Sequence, residues 1–179
     1  MKIAVLGYGN IGSGVVEVLR RNCAYVAKKA GQEIHVKYVL DLRDFPGDPM
    51  EDCVVHDIQK ITEDPEIEIV VETMGGLRPA YDFVKACLEK GKSVATSNKE
   101  LVAEYGAELM ELAEQKGANF LFEASVGGGI PIIRPLNQSV TSDEIYEITG
   151  ILNGTTNFML TRMSKDGVTF EKKKKKAQE

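Results

Sequence analysis

The stretch Gly7-Tyr8-Gly9-Asn10-Ile11-Gly12 decides the fold of this chain. It follows the short apolar run Ile3–Leu6, which is typical of a strand buried on both faces, and precedes a segment with helical apolar periodicity. In this GxGxxG pattern the first glycine permits a tight turn, the second admits a pyrophosphate close to the backbone, and the third lets helix pack on strand. The pattern predicts a dinucleotide-binding unit; glycines that serve only a packed turn are the alternative.

Strands and helices alternate along the chain beyond this turn. The apolar runs predict strands at 35–40, 67–71, 93–96 and 119–124, and helices at 13–30, 79–90 and 99–116, with mostly loop and a short helix or strand between 43 and 65. Strands separated by helices in this order form parallel sheets with helices on both faces. The sequence therefore predicts an α/β fold, a Rossmann-type doubly wound parallel sheet.

The pattern changes after Gly127-Gly128-Gly129. Residues 130–140 and 155–165 have helical character, and residues 144–152 have the pattern of a long strand. We expect an NAD(P)-binding domain over 1–130 and the beginning of an incomplete α+β domain over 131–179. The strand is expected to be an exposed edge or to pair with a second copy, which predicts a homodimer.

Composition excludes several classes of protein. The chain has 179 residues, 43% of them hydrophobic and 27% charged, as in globular proteins. No apolar run approaches the roughly 18–20 residues that span a bilayer, and the N-terminal apolar stretch is too short for a signal peptide, so we expect a cytoplasmic protein without a membrane partner. The net charge is −5 although five consecutive lysines occupy 172–176, which argues against nucleic-acid binding.

Two sites at strand ends bear on the cofactor. Asp41 follows the second strand, where a carboxylate accepts both ribose hydroxyls of NAD, while Arg43 could instead pair with the 2′-phosphate of NADP. The sequence leaves NAD or NADP open. Thr73-Met74-Gly75-Gly76 follows the next strand, where Gly75 would let the backbone pass close to a ribose or nicotinamide; a simple turn is the alternative.

Lys99 and Glu123 are the candidate reactive and ion-binding side chains. Lys99 follows a strand at the same edge of the sheet, where an ammonium can polarise a carbonyl oxygen that gains charge; a solvated helix-start lysine is the alternative. Glu123 precedes three consecutive glycines, and this combination suits a cation held by main-chain oxygens or close approach of a ligand. An inter-domain hinge is the alternative there.

Together these stretches resemble the N-terminal part of the homoserine dehydrogenases. The resemblance rests on GYGNIG at 7–12, TMGG at 73–76, TSNKE at 96–100, FEASVGGGIPII at 122–133 and GILNGTTNFMLTRM at 150–163. It implies an NAD(P)-dependent oxidoreductase that interconverts L-homoserine and L-aspartate 4-semialdehyde in threonine, methionine and isoleucine biosynthesis, with a second domain for substrate binding and dimerisation.

The resemblance also assigns residues by their motifs. It implies that Gly9, Asn10 and Ile11 lie at the pyrophosphate, that Thr73 and Lys99 line the cofactor, and that Lys99 acts at the reacting centre. It places a sodium ion at Glu123 and the main chain of Val126, Gly128 and Ile130. It places Gly154 and Thr155 beside the amino-acid substrate, consistent with a strand-to-helix turn that presents N–H groups to a carboxylate.

One part of the family pattern has no match in this sequence. The family's substrate-binding glutamate and Asp…Lys catalytic pair lie in a segment after a helix that begins near Phe170, and the lysines at 172–176 cannot replace them. Two hypotheses follow: a homoserine dehydrogenase-type enzyme, or a truncated, catalytically inactive dinucleotide-binding module.

Overall fold

The computed structural model describes residues 1–140, 142–150 and 153–166. The chain divides into two compact units, Met1–Arg134 and Pro135–Glu179. The first unit is built on six parallel strands: β1 (Lys2–Leu6), β2 (His35–Leu40), β3 (Val54–Val55), β4 (Ile67–Glu72), β5 (Ser93–Thr96) and β6 (Phe120–Leu121). Their spatial order is β3-β2-β1-β4-β5-β6, so the chain winds outward from β1 in both directions. This is the doubly wound Rossmann arrangement predicted from the sequence.

Helices cover both faces of this sheet. They are α1 (Asn10–Arg21), α2 (Cys23–Ala30), α3 (Gln59–Thr62), α4 (Ala80–Glu89), α5 (Lys99–Gln115) and the short α6 (Ala124–Gly127). Alternate residues of β1 enter different cores: Ala4 and Leu6 join the larger cluster that includes residues of α4 and α5, and Val5 packs in the cluster with Val16 of α1. Burial on both faces explains why β1 is an uninterrupted apolar run.

Several boundaries differ from the sequence prediction. The helix expected over 13–30 begins at Asn10 and is divided at Asn22, whose φ of −108° and ψ of 22° depart from helical values. The strand expected over 119–124 is limited to Phe120–Leu121, because the backbone turns into α6 directly after it.

The second unit contains α8 (Gly154–Asp166) and most of α7 (Ile133–Ser139), which begins in the first unit. The long strand predicted over 144–152 is wrong for the part that the structure describes, since 144–150 is not a strand. A strand is defined by its hydrogen-bonded neighbour, and every strand of the described residues belongs to the sheet of the first unit. Residues 151 and 152 and the lysine run lie outside the described residues.

Candidate functional site

The glycine turn joins β1 to α1 in the geometry that its sequence predicts. Gly7 has a φ of +89°, a value that side chains disfavour, and its N–H donates to the carbonyl of Leu40 at 2.8 Å. Gly9 precedes the first residue of α1 and has open space where a Cβ would lie, so an incoming group can approach the backbone. The first turn of α1 directs N–H groups without intrahelical partners, and the positive end of the helix dipole, toward that space.

The loop after β4 is bonded directly to this turn. The hydroxyl of Thr73 donates to the carbonyls of Leu6 and Gly7, both at 3.0 Å, and the Thr73 N–H donates to the Leu6 carbonyl at 2.9 Å. The carboxyl ends of β1 and β4 therefore form one continuous wall. The position between these two strands is the topological switch point of the sheet, where open α/β proteins bind ligands.

Asp41 and Arg43 form the other wall, at the carboxyl end of β2. The Arg43 Nε lies 3.0 Å from Asp41 Oδ1, and its Nη2 lies 3.0 Å from Oδ2. The backbone N–H groups of Arg43 and Tyr8 also donate to this carboxylate, at 3.0 and 2.9 Å. The Arg43 guanidinium is the largest of the causes that hold the pKa of Asp41 below its ordinary value, with the two backbone donors adding to it.

The Arg43 side chain faces solvent although it is held in place. It is 62% exposed, compared with 11% for its Asp41 partner. Its guanidinium carbon lies 5.0 Å from the centroid of the Phe45 ring, and that ring packs edge to face against Tyr8 at 4.9 Å. A pre-ordered, exposed guanidinium of this kind suits recognition of a phosphate.

A cleft of about 360 Å³ lies between these walls. Of the predicted site residues, it is lined by Gly7, Gly9, Asp41, Arg43, Thr73 and Gly75. Residues that sequence reasoning did not assign to a site complete its lining: Leu40, Leu42, His56, Met74, Pro79 and Phe83. Asn10, Ile11, Gly12 and Lys99 do not line this cleft.

His56 was missed although its position carried a signal. It directly follows β3 and so emerges at the same edge of the sheet as Asp41. Its Nδ1 lies 2.6 Å from the Asp41 carbonyl and its Nε2 lies 3.1 Å from Asp44 Oδ1. The hydrogen bond to the Asp41 carbonyl is the largest cause that raises the pKa of His56, and the Asp44 carboxylate raises it further.

Lys99 is the first residue of α5 and is exposed. The preceding Asn98 caps the helix, its Oδ1 accepting the N–H of Leu101 at 3.1 Å. This cap fixes the backbone from which Lys99 projects, at the carboxyl end of β5. The sequence predicted this placement.

The Glu123 carboxylate is occupied by main-chain donors. It accepts N–H groups from Ile132, from Ile133 at 2.8 Å and from Arg134 at 2.8 Å, and these bonds lower its pKa. It thereby caps the beginning of α7 from ten residues away. Val126 lies in α6, Gly128 has a φ of +60°, and Ile130 is 72% exposed. Within the described residues, no group of three or more His, Cys, Asp or Glu side chains could hold a metal ion.

The residues predicted to contact substrate begin α8. Gly154 is its first residue and is exposed, and the preceding Asn153 accepts the Thr156 N–H at 2.7 Å. The side chain of Thr155 lies outside the described residues. No helix of the part that the structure describes is both long and apolar enough to cross a membrane.

The chain is similar to known proteins both in sequence and in structure. The family model "Homoserine dehydrogenase, NAD binding domain" matches residues 7–123, and the model "Homoserine dehydrogenase" matches residues 131–179. The homoserine dehydrogenase of Synechocystis sp. is 43% identical over 174 residues, which cover 96% of this chain and 40% of the relative.

Solved structures of homoserine dehydrogenases are similar over nearly the whole chain. A homoserine dehydrogenase from Thiobacillus denitrificans superposes with a TM-score of 0.89 at 40% identity, covering 99% of this chain and 42% of that one. A hyperthermophilic archaeal homoserine dehydrogenase in complex with NADPH gives a TM-score of 0.83 at 27% identity, covering 99% and 60%. The chain thus spans about two fifths of the length of the curated relatives it matches.

Proposed function

Because the chain belongs to the homoserine dehydrogenase family, we propose that it binds NAD(P) and provides part of an enzyme that interconverts L-homoserine and L-aspartate 4-semialdehyde. The observation that carries the proposal is the cleft at the switch point, with the glycine turn on one wall and the Asp41–Arg43 pair on the other. A small-molecule substrate fits this family. The expected cytoplasmic location stays a prediction.

The cofactor's phosphates belong at the glycine turn. Gly9 leaves the backbone open to close approach, while Gly7 supplies the turn and Gly12 the packing of α1 on β1. Asn10 and Ile11 are the first two residues of α1 after Gly9, and their N–H groups are proposed to donate to the phosphates. The N-terminal dipole of α1 stabilises the negative charge. Asp41 and Arg43 would hold the adenosine ribose, and Thr73, Gly75 and Lys99 would contact the nicotinamide half.

The Asp41–Arg43 geometry favours NADP over NAD. A carboxylate offers roughly four acceptor positions, and four donors already occupy that of Asp41: two from the Arg43 guanidinium and two from the backbone. Asp41 therefore has little capacity left for ribose hydroxyls. The exposed guanidinium of Arg43 remains able to pair with a 2′-phosphate.

Lys99 is proposed to stabilise the charge that develops during reduction. The bound nicotinamide supplies the hydride when the aldehyde is reduced and accepts it in the reverse reaction. The Lys99 ammonium, at the beginning of α5, is suited to donate a hydrogen bond to the aldehyde oxygen as that oxygen becomes an alkoxide. The N-terminal dipole of α5 adds positive potential at the same position.

Gly154 and Thr155 are proposed to contact the amino-acid substrate. Their support is the position at the beginning of α8, where main-chain N–H groups lack intrahelical partners and suit a carboxylate. A test is the affinity for L-homoserine of a Gly154→Pro variant, which removes one of these N–H groups at a position where proline fits a helix.

A sodium ion is proposed at Glu123 with main-chain oxygens of Val126, Gly128 and Ile130. Oxygen donors of this kind suit a hard cation. Of the roughly four acceptor positions of the carboxylate, three receive backbone N–H groups, which leaves one for an ion. Thermal unfolding in sodium chloride and in tetramethylammonium chloride tests this: a sodium-specific stabilisation that Glu123→Gln abolishes supports the site, and equal stability in the two salts contradicts it.

A homodimer is also proposed. The second unit exposes Ile145, Tyr146 and Ile148 at 51%, 90% and 65%, within a short span of chain. Apolar groups so close together favour burial against another surface. Light scattering at micromolar concentration tests this proposal, and a monomer contradicts it.

The function is tested by titrating the chain with NADPH and NADH and then adding aspartate semialdehyde. We expect saturable binding with NADPH bound more tightly, and oxidation of bound NADPH that depends on the aldehyde. Absence of binding contradicts the proposal.

A further inference from the structure

Glu72 is a fully buried carboxylate that none of the roles above uses. It is the last residue of β4 and pairs with Leu6 of β1 on one side and Thr96 of β5 on the other. Its carboxyl group is therefore buried at the carboxyl-terminal edge of the sheet, the edge at which the cleft lies. Burial of a carboxylate is costly unless donors or a cation compensate it.

Glu72 is compensated by donors from both neighbouring strand ends. Its Oε1 accepts the N–H of Met74 at 2.7 Å and that of Gly75 at 3.3 Å. Its Oε2 accepts the hydroxyl of Thr96. One carboxylate thus holds the loop after β4 and the end of β5 together.

The network continues from Thr96 to the beginning of α5. The Thr96 Oγ accepts the N–H of Asn98 at 2.9 Å, and Asn98 Nδ2 donates to the Gly76 carbonyl at 2.6 Å. Asn98 also caps α5, so the bonds form a closed circuit through Glu72, Thr96, Asn98 and the 73–76 loop. Because Gly75 and Gly76 both have positive φ, at +76° and +69°, this loop has large conformational freedom unless such bonds restrain it.

We propose that Glu72 is a positioning residue that sets the 73–76 loop and the start of α5 for the nicotinamide half of the cofactor. The inference rests on the proposed function. It assigns a division of the cofactor site: the Asp41–Arg43 wall binds the adenosine half independently of Glu72, whereas Gly75 depends on Glu72 directly and Lys99, at the start of α5, depends on it through Thr96 and Asn98. Glu72 touches neither cofactor nor substrate and acts through the main chain of Met74 and Gly75 and the side chains of Thr96 and Asn98.

Two pairs of variants of the full chain test this division. Thr96→Val removes the hydroxyl donor at nearly constant volume, and Thr96→Ser retains it. Glu72→Gln removes the buried charge, and Glu68→Gln is its matched control because Glu68 is an exposed residue of the same strand. Each variant is titrated with NADPH and with adenosine 2′,5′-bisphosphate, which carries the adenosine half alone.

We expect Thr96→Val and Glu72→Gln to raise the Kd for NADPH about tenfold, the scale of one lost hydrogen bond to a buried charge. The Kd for adenosine 2′,5′-bisphosphate is expected to change less than about twofold, while Thr96→Ser and Glu68→Gln bind both ligands as the unaltered chain does. Retained binding of the bisphosphate also demonstrates a folded variant.

Equal weakening of both ligands would mean that Glu72 supports the fold in general, and unchanged binding of both would mean that it positions nothing; either result overturns the inference alone. If the unaltered chain binds NADPH no more tightly than it binds adenosine 2′,5′-bisphosphate, the nicotinamide half adds no affinity and the proposed division is also overturned. Failure of the unaltered chain to bind either ligand contradicts the proposed function, and the inference with it.

Discussion

The carbonyl oxygen of Gly7 lies 1.9 Å from the position that a Cβ of Gly12 would occupy. The Thr73 hydroxyl, which donates to the same carbonyl, lies 2.9 Å from that position. A side chain at position 12 therefore has no space, because α1 packs directly on the end of β1. The third glycine of the motif serves helix packing, while the open space at Gly9 serves the ligand.

Gly12→Ala is expected to destabilise the chain, and Gly14→Ala is its matched control in the same helix. The methyl group of alanine at position 12 would clash with the backbone carbonyl of Gly7, and we expect this clash to lower the free energy of unfolding by about 1–3 kcal/mol. A Cβ at Gly14 meets nothing within 4 Å, so alanine there should stabilise by about 0.5–1 kcal/mol through its helix propensity. Urea unfolding measures both changes; equal effects at the two positions would contradict the packing role of Gly12.

Arg43→Ala is expected to remove the preference for NADPH. Loss of a charge-assisted contact should raise the Kd for NADPH about tenfold or more. The same change releases the Asp41 carboxylate, so the affinity for NADH should stay constant or rise. Fluorescence titration measures both ligands, with Arg21→Ala as the control because Arg21 is an exposed arginine of α1. Parallel weakening of NADPH and NADH binding would refute the assignment of the 2′-phosphate to Arg43.

Lys99→Gln is expected to impair the reaction more than cofactor binding. Loss of a donor to a developing oxyanion typically costs about 100-fold or more in rate, whereas the NADPH Kd should change less than threefold or so because the pyrophosphate contacts remain. The rate of NADPH oxidation by aspartate semialdehyde measures the first quantity, and titration the second. Lys90→Gln, at an exposed lysine after α4, serves as the control. An unchanged rate in Lys99→Gln would remove the residue from the reacting centre.

Acidification is expected to release the beginning of α7. Backbone N–H groups of Ile132, Arg134 and Ile133 lower the pKa of Glu123, so its contribution to stability is complete above its ordinary pKa and is lost as pH falls through the lower folded value. The amide resonances of residues 132–134 should titrate together below the ordinary range of a glutamate. Glu123→Gln should abolish this titration, and a midpoint at the ordinary value would contradict the capping geometry.

Local patterns predicted much of the fold and half of the cleft. The bounds of β2 and β5 agree with the apolar runs of the sequence. Asp41 and Arg43 were recognised because they lie within three residues of the end of β2, and that strand could be predicted locally. Glu72 was missed because its role depends on the pairing of β4 with β1 and β5. His56 was missed because the sequence prediction left residues 43–65 mostly as loop and so did not set the bounds of β3, the strand that His56 follows. The pattern of residues 144–152 predicted a strand, but a local pattern cannot provide the hydrogen-bonded neighbour that a strand requires, and 144–150 is not a strand.

The most direct test of the central claim is calorimetric titration of the 179-residue chain with NADPH, repeated on Gly9→Val and Arg43→Ala. Valine at position 9 occupies the space open to the ligand without a clash inside the chain, because a Cβ there meets nothing within 4 Å. We expect saturable binding of one cofactor per chain, weakened in both variants. Absence of saturable binding, or equal affinity in all three proteins, would contradict the claim that the cleft at the switch point binds the cofactor.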